Sequence, residues 1–176
     1  MFRDEPRGFE ITNTNQSDLP FIFQLFDRSI KYQEKNGYPV WCDYDQGAII
    51  KDIENKNQYK IVVDSVVAIV FSVCYTDKVI WRMLDKGDSV YLHRIVVNPA
   101  FKGRRLFGLI MEWSIEHAKQ KGLLTIRMDT WAANPTLVKY YLGFGFTFME
   151  NYLTPNTAEL PVHNRNLELT LLEYKI

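Results

Sequence analysis

Hydrophobic and polar positions change period along the chain, and each change marks an element. Alternation over Phe9 to Thr12 predicts a first strand. Ser17 and Asp18 offer caps and Pro20 suits a first turn. Ile22, Leu25 and Phe26 then recur at i, i+3, i+4 until Gly37 and Pro39 stop the helix. A second, weaker helix is expected from Asp45 to about Asn55. Two β-rich runs follow, YKIVV and VVAIVFSVCY, separated by Asp64 and Ser65 in a plausible hairpin turn. SVYLHRIVV is the next strand, ended by Asn98 and Pro99.

Beyond a short polar junction, Leu106, Leu109, Ile110 and Trp113 share one helical face, with Gly122 as the stop. LLTIRMDTW reads as a strand, and NPTLVKYYLGF as a short helix opened by Asn134 with Pro135 at its first position. FTFMENYL and the alternating NLELTLLEYKI close the chain as strands. The order predicts an α+β fold, a mixed α/β layer sandwich. Hairpins make its central sheet mainly antiparallel, and the strand-helix-strand unit adds a splayed parallel pair.

The length of 176 residues, with 47% apolar and 14% aromatic composition, suits a single domain over 1–176 with a filled core. Lys plus Arg and Asp plus Glu both number 21, so no net field draws the chain to nucleic acid or an anionic membrane. Cys42 and Cys74 are too few for a disulfide framework and read as free thiols in a reducing compartment. No apolar run is long enough to span a bilayer, which with the polar N-terminus gives a cytoplasmic expectation.

The junction FKGRRLFGLIM places Lys102, Gly103, Arg104 and Arg105 where a strand hands over to a helix. A helix N-terminus offers unpaired N–H groups and partial positive charge, so this is either an anion site or a solvated basic turn. It matches neither a nucleotide-triphosphate loop nor GxGxxG.

LHRIVVNPAFKGRRLFGLIMEW together with IRMDTWAANPTLVKYYLGFGF resembles the GNAT superfamily of acyl-CoA-dependent N-acyltransferases. Its members carry a strand ending in Val-x-Pro, a loop Arg/Gln-x-x-Gly-x-Gly/Ala opening a helix, and a later Asn with a Tyr seven positions on, four before Gly-Phe. Asn134, Tyr141, Gly145 and Phe146 keep those intervals. The resemblance implies a GNAT-like sheet with helices on both faces and acetyl-CoA as cosubstrate. It implies a cofactor loop over Lys102, Gly103, Arg104, Arg105, Leu106 and Phe107, and pantetheine contacts at Ile95 and Val97. Arg105 and Phe107 stand where Gly and Gly or Ala are usual. A positive φ at Arg105 would be strained, and a Phe there would crowd a diphosphate.

The same resemblance makes Tyr141 the acid for the departing thiolate and gives Asn134 a cofactor contact beside its capping role. A base must take the amine's proton, and the candidates are His93, placed by alternation on the strand face of Tyr91, Ile95 and Val97, and Asp129. For Asp129 the structural alternative is a surface ion pair with Arg127 or a neighbouring chain segment. No metal is expected, because no His stands at a metal spacing to Cys42 or Cys74. His117 and His163 read as surface residues.

In PVWCDYDQ, Asp43 and Asp45 beside Trp41 and Tyr44 either attract a cationic acceptor or cap the second helix over core aromatics. The expected activity is acetyl transfer from acetyl-CoA to a primary amine of a small molecule, amino acid or peptide. A non-catalytic acyl-CoA-binding sensor of the same fold is the alternative. Closing strands that could pair between chains leave a homodimer open.

Overall fold

The computed structural model describes residues 8–38, 44–160 and 162–176, and of His163 the backbone alone. Its strands are β1 Phe9–Asn13, β2 Gln58–Val63, β3 Val66–Cys74, β4 Ser89–Val97, β5 Thr125–Trp131, β6 Thr147–Leu153 and β7 Glu168–Lys175. The helices are α1 Leu19–Lys35, α2 Gln46–Glu54, α3 Lys78–Trp81, α4 Phe107–Gln120 and α5 Pro135–Leu142. The strands form one seven-stranded sheet in the order β1-β2-β3-β4-β5-β7-β6. Every neighbouring pair is antiparallel except β4 and β5. The fold is therefore α+β, as the hydrophobic pattern implies.

Local chemistry accounts for the element ends. Asp64 and Ser65 both take left-handed backbone, at φ 49° and 64°, the combination whose twist suits a two-residue hairpin. Asp45 Oδ1 accepts the Ala48 N–H at 2.9 Å and starts α2. The entry to α1 differs from expectation. Asn15 supplies the side-chain cap, in a capping box with Asp18, and a short 3₁₀ turn precedes the α-helix.

The sequence pattern also passes over α3. Its four residues are too few for a helical period to register, yet Asp77 caps it by accepting the Ile80 N–H at 3.2 Å, and Ile80 and Trp81 are buried. Of the two closing strands, β7 is paired on both sides and β6 alone lies at the sheet's margin.

Three buried clusters divide the layers. The largest packs α4 and α5 against Ile61, Phe71, Leu92, Met128 and Leu172. On the opposite face, α1 and α2 cover Val70 and Val96, and α3 contributes Ile80 and Trp81 to a cluster with Tyr91, Trp131 and Leu171.

The feature that makes a site is in the middle of the sheet. Parallel pairing of β4 with β5 runs from Ser89 opposite Thr125 to Leu92 opposite Met128, and then stops. Both strands continue, β4 to Val97 and β5 to Trp131, with no ladder between them.

A bulge drives them apart. The β3–β4 register shifts between Val70 and Ser72, and Arg94 sits at φ 50°, held by Asp52 of α2 through an Nε–Oδ2 contact of 3.1 Å. The extra residue also exchanges faces. Leu92 and Ile95 both belong with the α4–α5 side, whereas Tyr91 and Val96 lie in the opposite clusters. The strict alternation expected from Tyr91 to Val97 is thus broken, and His93 does not share a face with Ile95.

Candidate active site

The junction after β4 is pinned before it turns. The Asn98 side chain donates to the Val67 carbonyl at 2.9 Å and accepts the Ala100 N–H at 3.1 Å. Gly103 at φ 83° and Arg105 at φ 54° then place two left-handed residues around Arg104. Such a winding turns successive N–H groups toward one concavity. The amides of Gly103, Arg105, Leu106 and Phe107 have no acceptor among the described residues, and α4 begins at Phe107. Three of these donors lie in the loop and the fourth, Phe107, opens the helix, whose next two amides bond the Arg105 and Leu106 carbonyls; free amides so placed can cradle an anion.

Arg105 adopts the strained conformation that its place in the motif implied, at a cost of about 1–2 kcal/mol. The Phe107 ring borders the cavity described below. It is buried, with its centroid 4.9 Å from the Tyr141 ring and 5.0 Å from that of Phe144, and forms part of a wall. The three cations of the loop diverge. Lys102 Nζ lies 3.0 Å from the Tyr32 ring centroid, and the Arg105 guanidinium 5.2 Å from that of Phe144. Arg104 stands over Phe101 at 5.0 Å and, unlike its two neighbours, does not line the cavity described next.

A cavity of about 610 Å³ extends from the cradle through the gap between β4 and β5. Lys102, Gly103, Arg105, Leu106 and Phe107 border it at one end, Ile95 and Val97 along β4, and His93 with Asp129 at the splay. Asn134 and Tyr141 face it from α5. Asn134 caps α5, its Oδ1 accepting the Leu137 N–H at 3.1 Å, which leaves the amide donors for another partner. Tyr141 is 8% exposed. Burial pushes its phenol above the ordinary tyrosine value, with Tyr140 and the Asp129 charge adding to the effect, so it stays protonated at physiological pH.

Across the gap, three titratable side chains meet. Asp77 Oδ2 is 3.5 Å from His93 Nε2, and Asp129 Oδ1 is 3.9 Å from His93 Nδ1. Both carboxylate oxygens are buried without a hydrogen-bond partner among the described residues. Desolvation raises Asp77 to about 6 and Asp129 to about 7, with neighbouring carboxylates adding to both. Desolvation, helped by Arg94, lowers His93 to about 3, so the imidazole is neutral at pH 7. Asp129 does not pair with Arg127, which instead binds Glu173 at 2.7 Å.

Each residue offers one ligand atom within 4.8 Å of the others, a spread that a metal could draw together. The shortest contacts to the ring run from Asp77 to Nε2 and from Asp129 to Nδ1. Asp77 escapes the sequence reading because its only local signal is a cap on a helix of four residues.

Elsewhere, His117 departs from its expected surface position. It is half-buried, stacked on Trp113 at 4.5 Å and hydrogen-bonded to the Tyr75 hydroxyl at 2.8 Å. Cys74 is a free thiol pushed up to about 12 by burial, and is unreactive at neutral pH. Tyr44 packs on Phe26 at 4.9 Å while Asp45 caps α2, which favours the structural role for that segment. Trp41, Cys42, Asp43 and the His163 side chain lie outside the described residues. No helix among the described residues is long and apolar enough to cross a membrane.

A splayed parallel pair, an amide cradle at the following helix and a tyrosine across the gap form a recognisable set. The family model described as "Acetyltransferase (GNAT) family" matches residues 22–146, and the chain belongs to that family. The chain is 25% identical over 150 residues to "Uncharacterized N-acetyltransferase YesJ" of Bacillus subtilis (strain 168), covering 81% of this chain and 83% of that one. Its fold is similar to that of a GNAT family acetyltransferase from Listeria monocytogenes 4b F2365, with TM-score 0.77, 21% identity, and 96% and 95% of the two chains covered. It is also similar to yncA of Salmonella typhimurium, solved with its cofactor acetyl-CoA, with TM-score 0.66, 17% identity, and 96% and 94% covered.

Proposed function

We propose that the chain is an N-acetyltransferase that uses acetyl-CoA to acetylate a primary amine of a small molecule, amino acid or peptide by direct attack. The observation that carries this reading is the single cavity joining the unpartnered amides of Gly103 and Arg105 to Phe107 with Tyr141, His93 and Asp129. The donor set fits a diphosphate, and the fold neighbour solved with acetyl-CoA supports the choice of donor.

Bound there, the thioester supplies an already activated acyl carbon. The chain then has to orient the partners, hold the diphosphate and move protons. The cradle amides and Arg105 take the phosphates, and the backbone of Ile95 and Val97, unpaired toward β5, takes the pantetheine arm. The amide donors of Asn134 contact the same ligand.

The His93–Asp129 pair accepts a proton from the acceptor's ammonium, leaving a lone pair to form the C–N bond. As the C–S bond breaks, the Tyr141 hydroxyl donates to the sulfur, and the nitrogen, cationic once the C–N bond has formed, gives up its second proton to solvent, through which Tyr141 is reprotonated. One thioester and one amine become one amide and one thiol. A carboxyl titrating near 7 suits the first transfer, and a phenol kept protonated suits the second.

The test is thiol release from acetyl-CoA across a panel of amines, amino acids and peptides, with calorimetric titration of CoA alongside. Binding with amine-dependent release is expected. Tight binding with no release for any acceptor would favour an acyl-CoA-binding sensor, and no binding would overturn both.

A further inference from the structure

We propose that Asp77, His93 and Asp129 form a binding site for one divalent cation of the zinc, cobalt and manganese class, and that its occupation blocks the proton-accepting pair. Binding follows from the three side chains alone. Its effect on turnover rests on the reading of His93 and Asp129 as that pair.

Buried carboxylates are ordinarily paired with a cation or bound to a metal. Asp77 Oδ2 and Asp129 Oδ1 are buried and accept no hydrogen bond among the described residues. The arginines beside them on the strands are committed elsewhere, Arg94 to Asp52 and Arg127 to Glu173. The His93 imidazole lies 3.5 Å from the first oxygen and 3.9 Å from the second, and forms a hydrogen bond with neither.

A divalent ion completes this arrangement. One ligand atom from each of the three residues falls within 4.8 Å of the other two. Ligands about 2.1 Å from a tetrahedral ion sit roughly 3.4 Å from one another. The contact of 3.5 Å between Asp77 and His93 already has that spacing, and the Asp129 carboxyl has to swing inward to match it. Two carboxylates cancel the charge of the ion. The imidazole nitrogen selects the borderline metals over magnesium and calcium, which take oxygen ligands.

Access is from one side. His93 and Asp129 border the cavity of about 610 Å³, while Asp77 stands off its wall. An ion therefore enters through the cavity, Asp77 forms the back of its shell, and water fills the positions that face the cavity. So placed, the ion takes the Asp129 oxygen and a His93 nitrogen, the atoms that receive the acceptor's proton in the proposed reaction. Asp77 Oδ1 stays with the Ile80 N–H at 3.2 Å, so binding leaves the start of α3 intact.

The experiment uses the full chain, stripped with a chelating resin and titrated with CoCl₂ at pH 7.5. One equivalent is expected to bind with the intense visible bands of a four- or five-coordinate Co²⁺ ion, and one equivalent of ZnCl₂ should bleach them. MgCl₂ should not. Asp77→Asn and His93→Gln should each weaken cobalt affinity at least about 100-fold, because each removes a direct ligand. His117→Gln, outside the site, should leave it unchanged. ZnCl₂ should raise the unfolding midpoint of the wild type but not that of Asp77→Asn, whose metal-free midpoint shows that it is folded.

With the best acceptor found, amide formation followed by mass spectrometry should fall at least about tenfold once zinc is bound, and return with a chelator. Absence of stoichiometric cobalt binding, weak octahedral bands alone, or undiminished affinity in Asp77→Asn would overturn the site, whatever the activity of the chain. Zinc that binds as described while amide formation continues unchanged would leave the site standing and overturn the role given to His93 and Asp129.

Discussion

Two neighbouring stations on the same pair of strands are built in opposite ways. Tyr91 and Arg127 are ladder partners on β4 and β5, and their group is saturated. Arg127 donates to Glu173 at 2.9 Å, to the Leu84 carbonyl at 2.6 Å and to the Tyr91 hydroxyl at 3.2 Å. Tyr91 in turn donates to Asp85 at 3.0 Å. Two residues further on, after the ladder has ended, His93 and Asp129 meet Asp77 with buried oxygens left over.

Low dielectric strengthens a complete network and penalises an incomplete one. The first station therefore holds the sheet closed. The second leaves two carboxyls whose pKa values burial raises, to about 6 and about 7, at a cost in stability.

The largest effect that would break this contrast is expected at the saturated station. Glu173→Gln strands a buried guanidinium and should cost about 3–5 kcal/mol in urea unfolding. Activity per folded molecule should stay within a few-fold. Loss of activity at full stability would reverse the assignment of the two stations.

Asp129→Asn should act the other way. It is expected to lower kcat/KM about 100-fold and raise stability at pH 8 by about 1–3 kcal/mol. The sign follows from a folded-state pKa near 7, above the unfolded carboxyl value. The charge penalty is present above 7 and is relieved as pH falls through it. Wild-type stability should therefore gain between pH 8 and pH 6 from this group, and the variant should lack that gain.

Tyr141→Phe should reduce kcat about 10- to 100-fold with an unchanged unfolding midpoint, because only a hydroxyl at a cavity wall is lost. The smallest effect is expected at the cradle. Arg105→Gly removes the left-handed strain, gaining about 1 kcal/mol, while CoA affinity falls about fivefold through loss of a cationic contact. Tighter binding in that variant would mean that Arg105 obstructs the ligand.

The cradle was legible in the sequence because Lys102 to Phe107 is contiguous and its chemistry depends on backbone that Gly103 announces. Hairpins, helix faces and the interval from Asn134 to Tyr141 were legible for the same local reason.

The cluster was not. Asp77, His93 and Asp129 come from three elements, and only packing brings them together. The bulge at Arg94 carries no glycine to mark it, so a period of two read straight through the residue that exchanges the faces of β4. The insertion of β7 between β5 and β6 is likewise a long-range pairing, and it is what provides Glu173 for Arg127.

The central claim, that the unsaturated station removes the acceptor's proton, is tested most directly by the pH dependence of kcat/KM for the wild type and Asp129→Asn with one amine. The account predicts a wild-type rate that falls as pH drops below about 7, and a limb displaced or abolished in the variant. Profiles of identical shape, differing at most by a constant factor, would contradict it.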